Sequence, residues 1–434
     1  MNKLDIYCSS RLCRGICLHP DLGWIELSAL AHHRSLHAHN LFDETLLSSD
    51  PMVEASGDSS KISALPDEVL VRVLSHLRSR EAVHTCVLSR RWRDLWQSVP
   101  RIDVSFNEFA DMADEDEDED EDDFEPEVLF KKFVNRLLML HRPVDLEEFR
   151  LEYSLPIGTV DLNANSADAN LWIAHVLQYK TRAVKVVTQD EYLQLVPAVF
   201  TSKHLKRLHI CNALLIRGFF ERLKTGCPAL EYLFLSDCII MDHEIIFNTL
   251  KVLTLTEETM FSSTQSSISA PSLISLFMDE CRSEARLPIL KNMSSLETAS
   301  VLLSGGYITT CDADGIRQFL RGLSDAINLD FYYEDRQINE IEEYGMNFYA
   351  MIVFLQNSPN LKKLTLKLNE PRYHNEVVSA VIGELEDRSF TCKQIEIVEI
   401  ICSEGNELLL LRVNQFLLEE SGKRPDQMRV SHQN

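Results

Sequence analysis

One phrase recurs along this chain and restricts its fold more than any other feature. It reads LKRLHICN from Leu205, LEYLFLSDC from Leu230, LKVLTLTE from Leu250, LISLFMDEC from Leu273 and LKKLTLKL from Leu361. The shared pattern LxxLxL puts alternate side chains on one face of a short strand. The first four copies start about 20 to 25 residues apart, the spacing of a solenoid with one strand and one return segment per repeat. Such units cannot bury their apolar faces alone, so each leans on its neighbours and the ends of the stack need covers. The spacing predicts about six to eight repeats, with an irregular period between Lys291 and Asn357. Val128 to Leu140 reads as an amphipathic helix and Asn170 to Tyr179 as a further, mostly apolar helix, with Val144 to Tyr153 and Ala183 to Thr188 as strands.

A second, smaller unit precedes the repeats. In ISALPDEVLVRVLSHLRSREAVHTCVLSRRWRDLWQSVP, residues 62 to 100, Pro66 suits a first helical position and Asp67 and Glu68 place negative charge at the unpaired amides of a first turn. Val69, Leu70, Val73, Leu74 and Leu77 then form one apolar stripe. Ser79 can cap a second helix through Val87 with Ala82, Val83, Cys86 and Val87 inward, and Ser89 a third with Trp92, Leu95 and Trp96. Three helices in so few residues bury too little to be robust alone, so apolar surface should stay bare until another protein covers it. The tryptophans can serve either that contact or the unit's own interior.

The run from Ile62 to Pro100, continuing into Arg101, Ile102 and Asp103, resembles the F-box, in the plant form followed by leucine-rich repeats and a C-terminal FBD region. CPALEYLFLSDC, from Cys227 to Cys238, is similar to the commonest repeat of those proteins, and CKQIEIVEIIC with the leucine-rich stretch from Asn406 to Glu419 resembles the FBD region. The resemblance implies an α/β chain: an N-terminal three-helix F-box, then a leucine-rich-repeat solenoid of strand plus helix or irregular return, then a C-terminal cap. It divides into a leader (1–60), the F-box (61–105), an acidic loop or linker (106–127), the solenoid (128–389) and an FBD-like cap (390–434). The F-box would bind the adaptor subunit of a cullin-RING ubiquitin ligase through residues among Leu65, Pro66, Leu70, Leu74, Leu88, Arg91, Leu95 and Trp96, and the repeats would hold an unidentified target protein. The alternative is a scaffold that binds the adaptor and presents no target.

Composition bears on what else the chain could be. No stretch reaches 18 apolar residues, so no membrane partner is expected. The 11 cysteines contain no CxxC pair and suit reduced thiols in the cytoplasm or nucleus. A net charge of -24, much of it from ten consecutive acidic residues between Asp114 and Asp123, opposes a nucleic-acid partner. That run reads as a solvated loop, or as a lure for a basic partner. Cys8, Cys13, Cys17 and His19 do not match structural-zinc spacing, and no metal or other cofactor is expected. GxSxG, GxGxxG, Walker and HExxH motifs do not occur, so no catalytic residue is assigned and the chain reads as a non-enzyme acting by placement.

Overall fold

The computed structural model describes residues 62, 64–110, 126–142, 144–153, 162–189, 192–256, 259–263, 265–279, 287–304, 318–334, 358–369, 395–403 and 428–433. The expectations for the leader, the acidic run, residues 390–394 and the helix from Asn406 to Glu419 lie outside these residues. Two short helices come first, α1 (Asp67–Leu74) and α2 (Ser79–His84), followed by 3-10 turns at Thr85–Val87 and Trp92–Ser98. Next are β1 (Arg101–Ser105), α3 (Asn107–Ala110), α4 (Pro126–Leu140), β2 (Glu148–Glu152), α5 (Leu162–Leu177), β3 (Ala183–Val187), β4 (Leu193–Leu195), β5 (Arg207–Leu215), α6 (Phe219–Gly226) and β6 (Tyr232–Ile240). After these come β7 (Glu244–Ile246), β8 (Val252–Thr256), β9 (Met260–Phe261), β10 (Ser267–Ser269), β11 (Ser275–Asp279), β12 (Ile289–Lys291), β13 (Thr298–Ser304), β14 (Asn328–Glu334), β15 (Lys363–Asn369), β16 (Ile397–Ser403) and β17 (Met428–Gln433).

The leucine phrase explains the sheet. In each copy the first leucine precedes the strand and the other two point inward from it: Leu205, Leu208 and Ile210 are buried, as are Leu230, Leu233 and Leu235 and then Leu250, Leu253 and Leu255. The strands pair parallel in the order β1-β2-β3-β5-β6-β8-β11-β13-β14-β15-β16-β17. A parallel ladder cannot be closed by a hairpin, so each strand needs a return segment on the far side. In the early repeats α4, α5 and α6 supply it; in the middle ones β7, β10 and β12 form a second, three-stranded sheet. The fold is therefore a helical N-terminal region followed by a parallel β/α solenoid.

Backbone hydrogen bonds tie each repeat to the next just ahead of the strands. The Lys206 carbonyl accepts from both Glu231 and Tyr232, and the Lys251 carbonyl from both Ile274 and Ser275. Asn212 and Asp237 sit at φ of 56° and 49° in equivalent places of β5 and β6; asparagine and aspartate enter this left-handed region more readily than other non-glycine residues. Cys227 and Cys238 are buried, and burial pushes their thiols up to about 11 and about 12. They pack as small hydrophobes. His175 is half-buried with its ring 5.2 Å from that of Tyr179.

Two boundaries differ from the sequence reading. The sheet begins at Arg101 rather than after residue 128, because Ile102, Val104 and Phe106 already alternate inward and β1 pairs with β2 from Arg101↔Glu148 onward. At the other end, β16 and β17 continue the same sheet in parallel register, so the described part of the segment expected to cover it lengthens it instead.

A close approach sets one glycine. A Cβ on Gly226 would lie 2.1 Å from the Phe200 carbonyl oxygen, a backbone atom that cannot swing aside. Gly226→Ala is expected to cost about 1–3 kcal/mol through forced backbone displacement, read as a lowered melting temperature of the full chain.

Candidate functional site

The helical region at the N-terminus is where the sequence places partner contact, and its geometry separates two sets of residues. Pro66 stands just ahead of α1 rather than inside it, with Asp67 and Glu68 in the first turn. Leu70 and Leu74 point inward and are fully buried. Leu65, Val69 and Val73, spaced by four, form a separate row that is 37%, 42% and 37% exposed. Val87 and Leu88, in the connector after α2, are 70% and 53% exposed. Exposed singly, such side chains would need no explanation, but here five fall within 24 residues, three of them in one row.

The second and third helices are shorter than expected. Arg78, not Ser79, precedes α2, and the Glu81 carboxylate accepts from the Arg78 amide at 3.1 Å. The helix stops at His84, which turns Val87 outward instead of inward and leaves Cys86 half-buried. Trp92–Ser98 winds as a tight 3-10 run with Trp92, Leu95 and Trp96 buried. Of the eight residues expected to face the adaptor, Leu70, Leu74, Leu95 and Trp96 are therefore interior groups of this chain. The remaining four, Leu65, Pro66, Leu88 and Arg91, are exposed. Arg91 binds Asp67 at 2.6 Å and also donates to the Leu65 carbonyl, fixing the start of α1 against the third helical turn. Sequence reasoning passed over Val69 and Val73 as surface groups, although their row with Leu65 was readable in the four-residue spacing.

The tryptophans are buried because this unit shares its interior with the solenoid. Trp92, Trp96 and Val99 belong to the same continuous core as Ile102, Val104 and Phe130. Polar contacts fasten the same junction. The Asp103 amide of β1 donates to the Ser79 hydroxyl at 2.9 Å, so α2 satisfies a donor on the first strand. Arg78 bridges Glu108 at 3.2 Å, and Arg80 donates to the Glu108 carbonyl with its guanidinium 4.8 Å from the Phe109 ring centre. Burial raises the Glu108 carboxyl to about 7 against the opposing pull of Arg78 and Arg80. Burial, with Arg80 adding, lowers His84 to about 4. The His141 ring lies 2.9 Å from the Val99 carbonyl, and the Arg142 amide donates to Gln97 at 2.8 Å.

Nothing in this arrangement positions a nucleophile and a base; it presents apolar surface on a fixed mount. Among the described residues no group of three or more histidine, cysteine or acidic side chains is placed to hold a metal ion, and no helix is long and apolar enough to cross a membrane.

Residues 62–103 match the F-box domain family. The match covers α1, α2, both 3-10 turns and the first residues of β1. Beyond it the chain is similar to an FBD-associated F-box protein of Arabidopsis thaliana, 26% identical over 348 residues that make up 70% of this chain and 77% of the relative. It is similar also to F-box/LRR-repeat protein 13 of the same plant, 25% identical over 72% of this chain and 78% of the relative. An F-box/FBD/LRR-repeat protein, 22% identical, aligns over 86% of this chain and 90% of its own length. This chain carries an F-box domain and is similar over most of its length to plant proteins of the F-box/LRR/FBD type. F-box/LRR/FBD proteins are non-catalytic and act as substrate adaptors in ubiquitin-ligase complexes. The exposed row of α1 thus lies inside the F-box, and the buried tryptophans join that F-box to its repeats.

Proposed function

We propose that this F-box protein is the substrate-recognition subunit of an SCF-type cullin-RING ubiquitin ligase, acting in the cytoplasm or nucleus. The outer row of α1, with Leu65, Val69 and Val73, docks to the adaptor subunit together with Pro66, Val87, Leu88 and Arg91. The solvent-facing side of the parallel strands holds the target protein. The observation that carries the reading is the division within one small unit: its tryptophans are sealed against the repeats while a four-spaced apolar row stays open. An interior that needed every hydrophobe would have left no such row.

The fixed junction gives this division a purpose. A target held on the strands and an adaptor held on α1 sit on one body, so the target's lysines stay within a restricted volume near the charged ubiquitin carrier. Confinement of that kind raises effective concentration without any new chemistry. The test is reconstitution of the full-length chain with purified adaptor, cullin and RING subunits, alongside capture from cells whose proteasome is blocked. A stoichiometric complex is expected, together with a captured protein whose ubiquitination requires this chain. Adaptor binding with no captured protein would leave a scaffold that presents no target, and failure to bind the adaptor would end the ligase reading.

A further inference from the structure

Register aligns outward side chains into rows that cross the sheet, and the N-terminal part of two rows has a distinct chemistry. One row runs Arg150, Lys185, His209, Phe234, Thr254 and Phe277 on successive strands β2, β3, β5, β6, β8 and β11. Two residues earlier, Arg207 of β5 lies between Ala183 of β3 and Tyr232 of β6.

In a chain of net charge -24, this corner carries excess positive charge. Its nearby carboxylates are already matched: Asp103 by Arg101 at 3.0 Å and Arg150 at 3.7 Å, Glu148 by Arg101 at 3.3 Å, and Glu231 by Lys251 at 3.4 Å and Lys206 at 3.9 Å. Lys185 and Arg207 make no ion pair among the described residues. His209 adds a ring and not a charge, since burial, with Lys185 and Arg150 contributing, pushes it down to about 3. That ring lies 3.9 Å from Phe234, beginning an aromatic surface. Thr254 then stands between Phe234 and Phe277 in the same row, one short side chain flanked by two aromatic ones.

We propose that this face binds an extended acidic segment of the target, with carboxylates on Lys185 and Arg207 and an apolar side chain seated over Thr254 between Phe234 and Phe277. The proposal rests on the receptor reading and specifies what the strands recognise. Lys185 and Arg207 stand on neighbouring strands at different levels, opposite His209 and Ala183 respectively, so they suit two separate single charges rather than one convergent anion. The spacing follows from the sheet. Strands lie about 4.8 Å apart, so the three steps from β3 to β8 span about 14 Å, or about four residues of extended chain at about 3.3 Å each. The segment therefore carries an acidic pair with an apolar residue about four positions after its first member.

The probe is a fluorescein-labelled peptide containing Glu-Glu-Ser-Ser-Leu, titrated by fluorescence polarisation against the full-length chain bound to adaptor. Lys-Lys-Ser-Ser-Leu and Glu-Glu-Ser-Ser-Ala are the comparison peptides. The acidic leucine peptide is expected to bind best, to weaken with salt, and to lose about tenfold or more in affinity to Lys185→Glu with Arg207→Glu. Thr254→Trp is expected to weaken the leucine peptide and leave the alanine peptide unchanged. The milder pair Lys185→Gln and Arg207→Gln gives the same order if charge reversal lowers the melting temperature. The proposal is overturned if the acidic peptide does not bind, if the lysine peptide binds as well, or if neither pair of substitutions matters. A cellular target still captured by a folded Lys185→Glu, Arg207→Glu chain would overturn the acidic-segment assignment and leave the receptor reading standing. Loss of target capture by the unaltered chain would count against the receptor reading itself.

Discussion

Replacing Val69 and Val73 together with aspartate is expected to abolish adaptor binding, by about a hundredfold or more, while the melting temperature of the full chain stays near that of the unaltered protein. Both side chains are more than a third exposed, so folding loses little when they change. In the complex each substitution removes buried apolar area and places a carboxylate where no partner awaits it. Either effect alone is worth about 1–3 kcal/mol, and the two sites lie one helical turn apart on the proposed docking row. Isothermal titration of purified adaptor into the full-length variant measures the loss, and a thermal melt measures the fold. Undiminished binding by a normally folded variant would remove α1 from the docking surface.

Trp96→Ala is expected to act in the opposite order. The ring is 6% exposed and belongs to the core that runs from the F-box into β1, so truncation leaves a cavity and should cost about 3–5 kcal/mol. Calorimetric unfolding of the full chain should show that loss first, with adaptor binding failing because α1 loses its support. Trp96→Phe should restore much of both. A chain with Trp96→Ala that melts normally yet ignores the adaptor would put the indole back at the intermolecular contact.

The two experiments also mark where sequence reasoning succeeded and where it stopped. Leucines at matched offsets located the strands from Leu205 to Met278 because the same inward positions recur, and a parallel ladder admits few other uses for LxxLxL. The strand at Arg101–Ser105 was not legible in that way. Its inward residues are Ile102 and Val104, it lacks the leucine phrase, and its partner β2 lies beyond the acidic run. Within the F-box, apolar residues at 69, 70, 73 and 74 merge into one broad stripe by periodicity. Only the packing of the Trp92–Ser98 turn against α1, with Trp92 and Trp96 in the core, decides that Leu70 and Leu74 go in while Val69 and Val73 stay out. Facing rows such as Arg150, Lys185 and His209 depend on pairing register between distant segments, which spacing within a single segment does not encode.

The hydroxyl of Ser79 on the Asp103 amide has a practical bearing on how the proposed receptor can be disarmed. A sheet margin with bare donors is an invitation to pair with other chains, and here the docking unit itself supplies the shield. Excising residues 62 to 100 to obtain a ligase-blind decoy would strip that shield along with the greasy floor under β1, yielding a sticky fragment whose behaviour says little about the ligase. On the proposed docking, surface charges planted on α1 should silence the adaptor and keep the margin guarded, which makes them the cleaner route to a substrate trap.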